Sequence, residues 1–371
     1  MKKILSISLA AAALLCACNK LDPADGSVAE NGAPCTLTLS FSGAEATKVA
    51  GSAVSDNEKK INDVQVFVFK RSSEPGKDSG KLEAAVHETG ITATGNYTLT
   101  GKLECTQGDR EIWALVNSAV NYVDGDAANM VTDLAALRAK TSLLTDNSST
   151  SLVMAGNIRV TLAAANETKE VQVSRMAAAV RLSSITNLMY SPALRQSGKV
   201  LIRGAYLLNV PAQQRFGSLN CIASERSFIA GADIAEDYWV SRNVKDSRSA
   251  CLALTADTYS SAKTLNYDTA NKLTNLSFFY AYPNDCAAAK TESWSRRATM
   301  LVVEATVDGE ECIYPIQLGT LESNKEYSVS LVIHRPGSDP DDPFKPIEFD
   351  TVTPSIKVVN WSTGTAVSEE I

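Results

Sequence analysis

Two histidines, His87 and His334, are all the imidazole in the 371 residues. Ser-His-Asp chemistry needs one of them beside an exposed Ser, and no Gly-x-Ser-x-Gly elbow supplies that Ser. His87 follows an expected strand in a polar segment and His334 stands at a strand end, so both read as surface residues. Neither a phosphate-cradling glycine loop nor a dinucleotide fingerprint is present. Asp339, Asp341 and Asp342 lack the Gly and terminal Glu of a calcium loop and read as a solvated linker. A glycosidase carboxylate pair has no local signature and stays open on sequence alone. Trp113, Tyr122, Trp239, Tyr280 and Trp294 are read as core or surface residues rather than as a sugar-stacking platform. Of the eight cysteines, Cys16 and Cys18 fall in the leader; Cys35, Cys105, Cys221, Cys251, Cys286 and Cys312 are scattered, with no Cys-x-x-Cys pair. They read as small, mostly buried apolar residues, with no metal site and no pairing assigned. The residue types point away from an enzyme, and no cofactor or metal is expected.

The chemistry that the spacing does suggest is covalent processing. Met1-Lys2-Lys3 is a basic start and Ile4 to Ala17 an apolar run too short to cross a bilayer comfortably, the pattern of an export signal. It ends Leu15-Cys16-Ala17-Cys18, which resembles a bacterial lipobox with Cys18 as the lipidated residue. Acyl chains contribute about 0.8 kcal/mol per buried CH₂, so several on one Cys would hold the chain to a membrane. Asn19 to Ala33 is polar and acidic and reads as a tether. Lys48 is the single basic residue in a small-residue stretch that follows a strand, which reads as an ordinary first strand and surface loop or as a detachable strand beside an accessible protease site.

Those sites must be held by β structure. In Pro34 to Ser42, Leu37, Leu39 and Phe41 alternate with Thr36, Thr38, Ser40 and Ser42, the period of a half-buried strand. Ile61 to Phe69 carries apolar groups on both faces, and Tyr97–Thr100, Glu111–Asn117, Leu152–Met154 and Ile158–Leu162 read as further strands. One helix is expected over Asp133–Lys140 with Thr132 as N-cap and Leu134 and Leu137 inward. Asn166–Glu170 reads as a polar break. Beyond it, strands are expected at Val171–Leu182, Val200–Val210, Ser277–Tyr282, Thr299–Val307, Cys312–Leu318 and Glu326–Ile333. Pro336–Pro346 reads as a stiff spacer before a last strand, Ile356–Trp361, which is either held away from the rest or folds back to complete its own sheet. The net charge of −7 and the lack of a basic stripe argue against nucleic acid.

Several runs resemble the fimbrillins, type V pilus subunits of Bacteroidales that include the major fimbrillin of Porphyromonas. They are Asp63-Val-Gln-Val-Phe-Val-Phe69, Ile112-Trp-Ala-Leu-Val-Asn-Ser118, Leu152-Val-Met-Ala-Gly156, Val173-Ser-Arg-Met-Ala-Ala-Ala-Val180, Phe279-Tyr-Ala-Tyr-Pro-Asn284 and Lys357-Val-Val-Asn-Trp361. The resemblance implies an all-β chain with one short helix: two tandem β-sandwiches of transthyretin-like, Greek-key type plus a C-terminal donor strand. The expected divisions are signal 1–17, lipidated tether 18–33, removable strand and cleavage stretch 34–48, sandwiches 49–168 and 169–335, spacer 336–347 and donor strand 348–371.

It also implies a life history. A lipoprotein anchored at Cys18 reaches the outer membrane, a protease cuts in the stretch after the first strand, and Leu37, Leu39 and Phe41 leave with the lipid. The donor residues Ile356, Val358, Val359 and Trp361 of another copy then fill the groove. In the family member whose processing is best known the cut follows Arg, whereas Ser42–Asp56 contains none, which is why Lys48–Val49 is expected. The implied partners are copies of the chain, related anchor and tip subunits, a maturation protease and the outer membrane. Having both a cleavage stretch and a tail favours a stalk subunit of a cell-surface fimbria. The rival readings are a surface glycan-binding lipoprotein that keeps its lipid and uses an exposed aromatic platform, and a lipid-anchored hydrolase with a carboxylate site that leaves no local signature.

Overall fold

A computed structural model describes residues 32–43, 56–72, 79–211, 213–217, 255–284, 298–343 and 352–360. Eighteen strands are present among them. In the first half they are β1 (Pro34–Gly43), β2 (Lys60–Lys70), β3 (Leu82–Thr94), β4 (Asn96–Thr98), β5 (Leu103–Thr106), β6 (Gly108–Val116), β7 (Thr141–Leu143), β8 (Met154–Leu162) and β9 (Asn166–Arg175). In the second they are β10 (Ala178–Asn187), β11 (Val200–Leu208), β12 (Gln213–Arg215), β13 (Ala256–Thr264), β14 (Leu273–Ala281), β15 (Met300–Val307), β16 (Glu310–Gln317), β17 (Lys325–Ile333) and β18 (Val352–Asn360). The all-β expectation is borne out.

The first half is one sheet of order β3-β2-β6-β8-β9-β1-β4, with β5 also on β1, folded over at the β8–β9 corner. There the strands pair only through Met154↔Arg175 and Ala155↔Ser174. Gly156 permits the close crossing, since a Cβ would lie 2.1 Å from the Gln172 carbonyl oxygen. Inside the fold, Leu37, Leu39 and Phe41 meet Val64, Val66 and Val68 of β2, Ile112 of β6 and Val171 and Val173 of β9. β2 is apolar on both faces because both are used: Phe67 and Phe69 turn outward into a second cluster shared with the C-terminal half.

Among the described residues that half forms two four-stranded sheets, β14-β10-β17-β18 and β13-β11-β15-β16. Val180, Phe279 and Val329 of one sheet pack with Ile202, Leu301 and Tyr314 of the other, which makes a sandwich. β12 pairs with β7, so a small ladder ties the halves together.

Four local expectations are corrected. Thr132 is not the helix cap: the helix α1 (Leu134–Ala139) is capped by Asp133, which accepts from Ala136 N–H at 2.8 Å. Asn166–Glu170 is no break but the head of β9, paired in parallel with β1 from Thr36↔Asn166 onward. Its exposed residues are polar because only its tail faces the core. Val171–Leu182 is not one strand; the chain leaves β9 and changes sheets through Met176 and Ala177, both fully buried. The proline stretch does not start as a free spacer, because Ser338 exchanges backbone hydrogen bonds of 2.8 and 3.0 Å with Ile313 of β16.

Candidate functional site

β1 is the strand on which the processing expectations converge, and it is seated from both sides. Along β9 it pairs in parallel over Thr36–Gly43. Along its other edge it pairs antiparallel with β5 over Pro34–Leu37 and with β4 over Ser40–Ser42. Cys35, Leu37, Leu39 and Phe41 are at most 1% exposed, whereas the Thr and Ser between them stay half-buried on the outer face. At roughly 1.5–3 kcal/mol per fully buried large apolar side chain, the Leu–Leu–Phe face alone contributes about 5–9 kcal/mol. Taking β1 away would uncover that core and leave two strand edges without ladder partners.

Among the described residues β18 has one neighbour. It closes an edge of its own chain's sheet, antiparallel to β17, from Lys325↔Asn360 to Ile333↔Val352. Val352 and Ile356 are buried, Pro354 and Val358 half-buried, and Thr353, Ser355 and Lys357 exposed. The tail thus has the same two-residue period as β1. Pro354, which lacks an N–H, is tolerated there because an edge strand uses only half its donors. Of the expected donor residues, Ile356 and Val358 face inward; Val359 belongs to β18, and Trp361 lies outside the described residues, as do Cys18, Lys48 and Val49. The structure therefore brings Leu37, Leu39 and Phe41 together with β9, and Ile356 and Val358 together with β17.

Motif reading missed a buried polar tie just downstream of the 44–55 segment. A 3₁₀ turn at Asp56–Lys59 puts Glu58 under the junction of the two halves. Arg175, fully buried, donates through Nε to the Glu58 carbonyl at 3.1 Å and through Nη1 to Asn324 Oδ1 at 3.3 Å. Tyr280 donates its hydroxyl to Glu58 Oε1 at 2.7 Å. Burial lowers the Arg175 guanidinium to about 10, against the support of the Glu58 charge. Arg175 and Tyr280 both stand in the motif runs quoted above, but nothing in a linear sequence joins them to Glu58.

A second tie supports β6. Glu111, nearly inaccessible, accepts from Trp113 Nε1 at 2.8 Å, Arg138 Nη2 at 2.6 Å and Arg159 Nε at 3.0 Å. Burial pushes its carboxyl up, but the indole and the two guanidinium groups outweigh this, and it titrates below the usual range.

His87 is not a surface residue. It lies in β3 at 13% side-chain exposure and bonds Asp63 Oδ2 at 2.6 Å. His334 stacks on Tyr190 with centroids 4.9 Å apart. Trp113, Tyr122 and Tyr280 are buried, so they form no open sugar platform; Trp239 and Trp294 lie outside the described residues. Cys35, Cys105 and Cys312 are buried free thiols, as their scattered spacing suggested, and Cys221, Cys251 and Cys286 lie outside the described residues.

The fold is shared with solved structures of Bacteroidales adhesion and fimbrial proteins. A cell-adhesion candidate from Bacteroides eggerthii superposes with a TM-score of 0.60 at 18% identity, covering 89% of this chain and 97% of that one. The fimbrilin FimA of Porphyromonas gingivalis W83 gives 0.57 at 13% identity, with 88% and 98% covered. The C-terminally truncated tip fimbrial protein Mfa3 of Porphyromonas gingivalis gives 0.51 at 11%, with 88% and 100% covered. No curated protein matches the sequence. The fold class is therefore that of fimbrial and adhesion subunits. Residues 33–189 match the major fimbrial subunit protein (FimA) family, which bears out the resemblance read from the motifs. The family is a structural one, not an enzyme family, and it implies a place in cell-surface fimbriae.

Proposed function

We propose that the chain is the stalk subunit of a surface fimbria, exported as a lipoprotein anchored at Cys18 and polymerised by donor-strand exchange after a cut at Lys48–Val49. The observation that carries this reading is the contrast between β1 and β18. β1 fills a groove with ladders on both edges, and the basic residue Lys48 follows it within five residues of Gly43. β18 has the same alternation but sits at a sheet edge with one ladder.

Loss of β1 opens a site that offers a strand two ladders and a continuous apolar floor. A tail from a second copy gains more there than it loses by leaving β17. Donor and groove are different surfaces of one chain, so the contact is heterologous and propagates as a filament. The buried tie of Glu58 to Arg175 and Tyr280 holds the chain just after the cut, so the remaining fold keeps its groove when β1 leaves. In this scheme the partners are further copies, anchor and tip subunits and a maturation protease.

The test uses the chain from Asn19, limited trypsin and an unboiled gel. A cut after Lys48 is expected to yield an oligomer ladder that deletion of Ile356–Ile371 abolishes. A cut chain that stays monomeric with its tail intact contradicts strand exchange, because β18 then serves only its own sheet.

A further inference from the structure

Cys35 and Cys105 stand directly opposite each other across the β1–β5 ladder. Opposed residues of an antiparallel pair have Cβ atoms roughly 4.5–5.5 Å apart and Cα separations inside the disulfide range, so a small local shift is enough to join them. The Cys105 thiol points across the pair, donating to the Cys35 carbonyl at 3.4 Å. Both thiols are free and buried. They lie on the one strand whose departure the proposed assembly requires, and on the neighbour that stays.

We propose that Cys35 and Cys105 form a disulfide that latches β1 in its groove. The co-reactant is a small disulfide. One cysteine thiolate attacks it, giving a mixed disulfide and releasing one reduced thiol; the second cysteine then displaces the other half. The two protein thiols lose two electrons and two protons, and the co-reactant becomes two thiols. Burial raises both thiols, Cys105 to about 12, so little thiolate exists once β1 is seated. The bond therefore forms while β1 is docking during folding.

The bond itself is independent of strand exchange; its effect on assembly rests on that reading. A chain cut after Lys48 but still joined at Cys35–Cys105 keeps residues 34–48 covalently in the groove and cannot accept a donor strand. A small thiol frees them by the reverse exchange: its thiolate attacks the disulfide, a second thiol displaces it from the mixed disulfide, and the two cysteines return as thiols while the small thiols become a disulfide. Assembly then needs two events, a cut and a reduction.

The test folds the chain from Asn19 with glutathione disulfide or with a reductant, then alkylates it and digests it fully without reduction. The oxidised sample is expected to contain tryptic peptide 21–48 linked to peptide 103–110, each with one cysteine. After limited trypsin at native pH, its oligomer fraction is expected to be at least tenfold below that of the reduced sample and to recover on adding reductant. Cys35→Ala and Cys105→Ser, made separately so that one misfolded variant does not decide the matter, are expected to assemble without regard to redox state. Two alkylated peptides after oxidative folding overturn the bond. A linked pair in chains that assemble without reductant overturns the latch. If reduced, cut chains never assemble, strand exchange fails, and the bond is judged by the peptide pair alone.

Discussion

Leu39→Ala separates a strand that belongs to the final fold from one that is only passing through it. Leu39 is fully inaccessible in the middle of β1, between Leu37 and Phe41 and under the β2 valines. Truncating such a leucine removes its transfer free energy and leaves a cavity that the facing strands close only in part, a loss of about 2–5 kcal/mol. At a urea slope of roughly 2 kcal/mol/M, the midpoint of the uncut chain should fall by about 1–2.5 M, read by fluorescence or circular dichroism. The same substitution should leave the assembled fibre as stable as wild type, because β1 is gone from it. Release after the cut should be no slower than in wild type. A loss below about 1 kcal/mol in the uncut chain would mean that Leu39 does not carry the packing assigned to it. An equal loss in the fibre would mean that β1 stays in place.

Further expectations follow from the ties around the groove. Arg175→Met leaves Glu58 and Tyr280 without their buried cation, and should cost about 3–5 kcal/mol in denaturant unfolding of the uncut chain. Glu111→Gln should cost on the order of 1–3 kcal/mol at neutral pH, where the carboxylate accepts from Trp113, Arg138 and Arg159. The folded carboxyl titrates below its unfolded value, so its contribution is present above the ordinary Glu value of about 4.3 and fades as pH falls through the folded value. The gap between wild type and Glu111→Gln should therefore close in acid. Lys48→Gln should leave the Lys48–Val49 bond uncut under limited trypsin and the chain monomeric on an unboiled gel.

Much of this architecture was legible because side-chain type follows burial along the strands. The Leu37–Leu39–Phe41 alternation, the two-faced run of β2 and the Ile112–Val116 core of β6 each map onto strands with the expected inward residues. β3 was missed because Leu82–Thr94 is half-buried along most of its length and carries His87, Glu88 and Thr89 among small apolar residues, which blurs its period. The polar head of β9 was read as a break for a related reason: its partner there is the backbone of β1, and backbone pairing leaves no mark on side-chain type. Nor could the sequence join Glu58 to Arg175, 117 residues apart, or set Cys35 opposite Cys105, since both depend on register. The place of β18 lay at the same limit. Its alternation says that it pairs, and only the fold says that its partner within the chain is β17.

The most direct measurement of strand exchange is the intact mass of subunits dissociated, under reducing conditions, from the ladder made by limited trypsin. The account predicts chains that begin at Val49 and keep the tail through Ile371, with no residue 34–48 fragment in the fibre. Oligomers that retain the 34–48 fragment would show that β1 never leaves its groove, and the chains would then be held together by some other surface.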